Sequence, residues 1–249
     1  MNKVIGAISR AFTSLFHPRM LALLALPFAV ALAAWILVAW FAWTPITNWL
    51  ETGIFDSNGA MSWVYEKASS IGIGWIRDLL SSLVALLLIV PLIFGTAMAL
   101  IAVLATPVVT RHLGGGEYRD VDRRGSWSVA ASIWNALSSL GLFLVGYLVT
   151  LPLWLIPPLA FVVPWLWWSW LTARMMRFDS LVEHASVEER RRLISSDSRA
   201  YLAVGLLTTV LNYIPPLFLV TPVLSALAFV HYSLARLREQ RAGTVSRRA

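Results

Sequence analysis

The sequence predicts an all-α, polytopic membrane protein in which two long spanning helices are followed by two proline-broken helical hairpins. Three observations carry that prediction. Hydrophobic residues fill 58% of the 249 positions and charged residues only 13%, about half the share with which a soluble domain wets its surface. Uncharged residues gather into runs at 20–43, 79–110, 125–173 and 200–235, each long enough for one or two passages into hydrocarbon. The 13 Trp and 6 Tyr supply the amphipathic rings that collect where hydrocarbon meets headgroups.

The whole chain, 1–249, reads as a single membrane domain. Residues 1–17 open it as an amphipathic surface helix: Val4, Ile5, Ile8, Ala11, Phe12, Leu15 and Phe16 recur at helical spacing, with Lys3, Ser9, Arg10, Thr13 and Ser14 between them. The run 20–43 then covers about 36 Å as helix, enough for a hydrocarbon core of about 30 Å. It is also longer than the apolar stretch of a cleaved leader, so it is expected to stay as span 1. Residues 44–78 form an outside loop with Asn58-Gly59 and the acids Glu51, Asp56, Glu66 and Asp78. Span 2, 79–110, would reach about 48 Å, which implies tilt or kinks, and Pro91 and Pro107 are the expected places for them.

Hairpin 1 (125–173) is too long for one helix, and Ile156-Pro157-Pro158-Leu159 breaks it. A cytoplasmic loop and helix occupy 174–199. Hairpin 2 (200–235) repeats the pattern with Ile214-Pro215-Pro216-Leu217, and the nine-residue segments starting at Ile156 and Ile214 agree at six positions. Paired broken hairpins fit two readings equally, an interrupted-helix transport path or a buried turn. Arg199 to Ile214 makes only about 24 Å of helix, so hairpin 2 is expected to penetrate part way. A basic tail, 236–249, ends the chain.

A net charge of +7 raises the question of nucleic acid, and its placement answers it. The cations fall between apolar runs and do not alternate with aromatics on one polar face, so no nucleic-acid partner is expected. Lys3, Arg10 and Arg19 mark the first segment; Arg111, Arg119, Arg123 and Arg124 the second; Arg174, Arg177, Arg190, Arg191, Arg192 and Arg199 the third; Arg236, Arg238, Arg241, Arg247 and Arg248 the tail. The loop 44–78 has only Lys67 and Arg77. The rich segments therefore share the cytoplasmic side, both termini included, and the poor loop faces out.

Catalytic motifs are missing: no H-E-x-x-H, no G-x-S-x-G and no P-loop, since Gly114-Gly115-Gly116 is followed by no Lys-Ser/Thr. No enzyme, cofactor or metal site is expected. Cys is absent, and His184 with Glu188 makes one helical pair without a third ligand. Ser186-Val187-Glu188-Glu189 reads as a capping box opening a short helix through Arg190-Arg191-Arg192, a run that can touch anionic headgroups. His231, in the last apolar run, is placed with its ring snorkelling to the cytoplasmic face. Arg19 stands out, because it follows His17-Pro18 at the break before span 1. A helix N-terminus, its free N–H groups and a guanidinium there suit a small oxyanion; a plain topological anchor suits the same position.

Several segments in order resemble the CysZ family of sulfate permeases in the etoposide-induced-protein superfamily. They are Phe16-His17-Pro18-Arg19 leading to Leu26-Pro27, Ala105-Thr106-Pro107, Ile156-Pro157 followed by Pro164-Trp165-Leu166-Trp167-Trp168-Ser169-Trp170, Phe178-Asp179, Thr209, Ile214-Pro215 and Thr221-Pro222. The resemblance implies two long spans and two partly penetrating hairpins in a bacterial inner membrane, assembled as a homo-oligomer and passing a small anion such as sulfate. It makes Pro18, Arg19, Pro107 and Arg111 the candidate substrate-binding residues, with Pro157, Pro158, Pro215 and Pro216 as structural turns. The alternative is a membrane scaffold of the same fold that works through partners on its basic loops.

Overall fold

The computed structural model describes residues 1–50, 52, 63, 66, 67, 70–72, 75–125 and 129–246. Most of the expected outside loop thus lies outside the described residues. Among the described residues all regular structure is helical: α1 (Asn2–Leu15), α2 (Pro18–Leu50), α3 (Ile76–Gly115), α4 (Val129–Val149), α5 (Pro157–Asp179), α6 (Val187–Ser196), α7 (Ser198–Thr209) and α8 (Thr221–Ser246). α2, α3 from Leu79 and α4 from Ala131 are long and apolar enough to cross a membrane.

Both long helices exceed the runs read from hydropathy. α2 continues through Pro45 to Leu50, so residues 44–50 are helix, not loop; polarity marks where hydrocarbon ends, whereas backbone bonding decides where the helix ends. α3 is likewise assigned without a break across Pro91 and Pro107, since a membrane helix tolerates the missing N–H donors.

The chain falls into two compact units, Ala25–Leu100 and Met1–Leu24 with Ile101–Ala249. In the first, Phe28 meets Phe94 edge-on at 5.7 Å and Trp35 Nε1 donates to Thr96 Oγ1 at 3.0 Å. Its buried positions Ala31, Ala85, Ile89 and Ala97 are mostly small, which allows close helix approach where the apolar effect gives little drive.

The second unit is organised around α8. Val223, Leu224, Ala226, Leu227, Ala228, Phe229, Val230, Leu234 and Leu237 are buried, as are Ser225, His231 and Ser233. A helix covered on every side is a core helix, and this one packs against α1, α5, α6 and α7. α1 supplies Val4, Ala7, Ala11 and Leu15, a stripe spaced three and four apart that protein covers. Of the apolar residues on that face, Ile5 and Phe12 of α1 and Phe16 just after it remain exposed, so about half of the apolar face read as membrane-binding is a packing face.

Each hairpin turns at its prolines. Ile156 is extended (φ −92°, ψ 111°) ahead of Pro157, which starts α5; the residue before proline avoids helix, and proline at the first helical position forfeits no bond. Hairpin 1 is closed by aromatics, with Phe143 at 5.1 Å from Trp168 and Tyr147 at 4.9 Å from Trp154, and by Trp167 Nε1 donating to Thr150 Oγ1 at 3.1 Å. In hairpin 2, α7 has 12 residues, about 18 Å, too short to cross a core of about 30 Å alone. α7 lies on α5 where Gly205 meets Ser169 and Ala173.

Candidate functional site

The break before α2 is built by His17. Its Nδ1 accepts the Arg19 N–H at 3.2 Å, and its carbonyl accepts those of Met20 at 2.8 Å and Leu21 at 3.1 Å. Pro18 has no N–H to offer. The first-turn donors expected to cradle an anion are therefore already taken, a correction that no residue pattern could have given because it depends on a ring rotamer. What remains at this helix end is the positive pole of the dipole and the exposed Arg19 guanidinium, which has no hydrogen bond or ion pair among the described residues. The His17 ring also contacts His112 of α3, centroids 4.5 Å apart, which ties the start of α2 to the end of α3.

Pro107 and Arg111 lie on the same stretch of α3 but open elsewhere. Pro107 lines a cavity of about 240 Å³ together with Thr106, Thr110, Ser132, Asp179 and Glu183. Arg111 is exposed and leans to Glu183, Nε to Oε1 4.0 Å. Asp179 has no ion pair among the described residues, and burial pushes its carboxyl up to about 6. The Thr110 hydroxyl, on a residue 1% exposed, has no partner among the described residues. Two carboxyl groups make this cavity a poor seat for an anion. The four candidate residues thus divide between a cationic entrance, Pro18 with Arg19, and the acid-lined cavity, Pro107 with Arg111, joined through His17 and His112. The residue pattern gave the first pair its rationale; it marked Asp179 only as part of the Phe178-Asp179 resemblance and gave no signal for Thr110, and both reach the cavity through helix packing.

Several polar residues inside the second unit are tied down. His231, fully buried, does not snorkel: its Nε2 lies 3.0 Å from Ser14 Oγ and its Nδ1 3.2 Å from Tyr118 OH. Ser233 joins Ser180 at 2.7 Å and Tyr201 at 3.1 Å. The basic tail is helical to Ser246, and Arg236, Arg238 and Arg241 act as clamps. Arg236 donates to Asp197 at 2.5 Å, Arg238 pairs with Asp120, and Arg241 donates to Glu189 at 2.9 Å and to the His184 carbonyl at 2.8 Å. The capping box read from the sequence is present, Glu189 N–H donating to Ser186 Oγ at 3.2 Å and Ser186 N–H to Glu189 Oε2 at 2.9 Å.

His184 itself is 1% exposed, and neither ring nitrogen has a partner among the described residues. Burial, with Arg123 and Arg241 nearby, pushes its imidazole down from 6.5 to about 4. The folded state therefore holds it neutral while the unfolded chain takes a proton, so stability is full above pH 6.5 and falls as pH drops toward 4. By pH 5 the loss from His184 alone should be ~2 kcal/mol, opposed by Asp179, whose raised carboxyl takes its proton in the folded state before the unfolded chain does. Melting of the detergent-purified wild type and His184→Gln between pH 7.5 and 5 checks this: the variant should lose less stability than wild type over that interval, and an equal change in both would refute the assignment.

Over residues 7–222 the chain matches the family described as Sulfate transporter CysZ/Etoposide-induced protein 2.4. No curated protein and no solved structure matches it. With that match spanning most of the sequence, and with helices long and apolar enough to cross a bilayer on both sides of the His17–His112 contact, this multi-pass membrane protein belongs to the CysZ/etoposide-induced-protein family, whose members resemble sulfate transporters.

Proposed function

We propose that the protein passes a small oxyanion, sulfate, across a bacterial inner membrane, as a homo-oligomer with both termini in the cytoplasm, and that Pro18 and Arg19 form its first contact. The observation that carries this reading is the unpartnered Arg19 guanidinium at the N-terminus of a 33-residue apolar helix. Arg236, Arg238 and Arg241 are neutralised by Asp197, Asp120 and Glu189, whereas Arg19 keeps its planar fork free at the positive end of a helix dipole. Pro107 and Arg111 then flank the route at the far side of His112, with the acid-lined cavity as the region an anion avoids.

The test is sulfate binding by calorimetry, with uptake into proteoliposomes, for wild type, Arg19→Lys and Arg19→Ala. A hydrogen bond to a charged group contributes about 1.5–3 kcal/mol, so Arg19→Ala should lose at least about tenfold in affinity and Arg19→Lys a smaller factor. Equal affinity in all three removes Arg19 from the site. Absence of binding and uptake by wild type sets transport aside in favour of a scaffold working through the basic loops.

A further inference from the structure

Hairpin 1 carries an open groove of about 540 Å³, lined by Leu142, Leu153, Val163, Leu166, Trp170 and Leu202. The one hydroxyl on its wall, that of Thr150, is already engaged by the Gly146 carbonyl at 2.9 Å and by Trp167 Nε1 at 3.1 Å. Whatever fills the groove is therefore apolar along its length. From Val163 to Trp170 it follows α5 for about 11 Å.

Two cations stand next to the groove's Trp170 wall. Arg174 lies over the Trp170 ring, 5.3 Å from its centroid, and its Nε donates to Ser139 Oγ at 3.0 Å, which leaves the two terminal nitrogens of its fork free. Arg177 follows one turn later on the same face, half-buried, and Arg174 acts on it as a like charge. Neither guanidinium has a carboxylate partner among the described residues, in contrast to Arg236, Arg238 and Arg241 on α8. Two adjacent, partly desolvated cations repel unless an anion sits between them. An apolar channel with an anion-seeking pair next to its Trp170 wall has the outline of an amphiphile.

We propose that this groove binds one anionic phospholipid, its acyl chain lying along α5 from Trp170 toward Val163 and its phosphate held between Arg174 and Arg177. Guanidinium forks match the planar pairs of phosphate oxygens, and basic pockets between membrane helices attract acidic headgroups. The stacking of Arg174 on Trp170 puts headgroup and chain sites on one continuous surface. The lipid would also bridge α4, α5 and α7, which contribute Leu142, Leu166 and Leu202. This site is separate from the Arg19 entrance and does not depend on whether an anion is transported.

Native mass spectrometry of the full-length, detergent-purified protein, titrated with phosphatidylglycerol or phosphatidylcholine of equal chain length, tests it. Wild type should retain phosphatidylglycerol at least about tenfold more tightly. The Arg174→Gln/Arg177→Gln protein should bind both lipids alike, and Arg174→Lys/Arg177→Lys should keep most of the preference. Leu166→Trp, which fills the groove, should weaken both lipids. Should the glutamine variant fail to elute as a folded species, the wild-type and lysine proteins still decide the matter. Equal retention of the two lipids by wild type would overturn the proposal. So would displacement of bound lipid by inorganic phosphate, which marks a headgroup-only site, or concentration-dependent dimerisation that expels lipid, which marks a second copy of the chain as the occupant.

Discussion

Gly205→Leu is expected to yield protein that is inserted but no longer packed, eluting broadly in size exclusion and melting far below wild type. A Cβ at position 205 would stand 2.6 Å from the Ser169 carbonyl oxygen and 3.1 Å from Ala173 Cβ. The nearer obstacle is backbone, so no rotamer change relieves it, and α5 and α7 must separate. Separation also stretches the Ser169 Oγ to Thr209 Oγ1 contact of 2.5 Å where the two hairpins meet. Overpacking a tight contact costs about 1–3 kcal/mol, and a full leucine side chain against a carbonyl belongs at or above the upper end. That is a large share of a total stability of about 5–15 kcal/mol. Gly141→Leu is the control: it sits in the apolar helix α4, and a Cβ there meets nothing within 4 Å. Equal melting temperatures for the two variants would refute the packing argument.

Asp197→Ala should be nearly as damaging, through charge and not volume. The Asp197 side chain, 9% exposed, takes the Arg236 guanidinium at 2.5 and 3.2 Å, the Tyr232 hydroxyl at 2.9 Å and the Ser196 hydroxyl at 3.0 Å. Removing it strands Arg236, though that residue is half-buried and Glu239 still reaches it, so the loss should be a part of the about 3–5 kcal/mol that breaking a fully buried pair costs. Asp197→Asn keeps the shape and loses the charge, so a smaller loss is expected. The pH dependence separates this pair from His184. Burial pushes the Asp197 carboxyl up, but Arg236, Tyr232 and Ser196 more than offset that and leave it below its ordinary value. A depressed carboxyl contributes stability that is present above its unfolded value, about 4, and lost as pH falls through the folded one. The two losses therefore fall in different windows, His184 between pH 6.5 and 4, where Asp179 acts with the opposite sign, and Asp197 below about pH 4, where Glu189 and Glu239 add to it. Asp197→Asn should shrink only the lower loss, and a protein whose low-pH loss is unchanged by it would contradict the assignment.

The membrane architecture was legible because its causes are local. Charge exclusion over 20–43 and 79–110 reports hydrocarbon directly, and Pro157 and Pro215 report turns through a ring that cannot donate. Ser186 and Glu189 announced their capping box because its partners are three residues apart. What escaped the sequence is tertiary. The α8 run looked lipid-facing because Val, Leu, Ala and Phe suit lipid and protein interior equally, and nothing in 221–237 says which will cover it. His231 was misplaced for the same reason: its partners Ser14 and Tyr118 lie 217 and 113 positions away. At the entrance, the position of Arg19 could be read, but the capture of its N–H by His17 could not.

The pairing of α1 with α8 has a consequence for biosynthesis. Lys3 bonds Glu239 across 236 positions and Ser14 meets His231 across 217, so α1 leaves the ribosome long before α8, the helix it chiefly packs against. At about 5–20 residues per second, α1 waits on the order of 10–40 s with Val4, Ala7, Ala11 and Leu15 uncovered. During that interval the lipid surface is the nearest apolar cover, and α1 would rest there as a nascent amphipathic segment before being drawn inward. The membrane-surface character written into the first residues then describes a stage in the life of the chain, and premature termination before α8 would leave that stage permanent and visible to quality-control proteases.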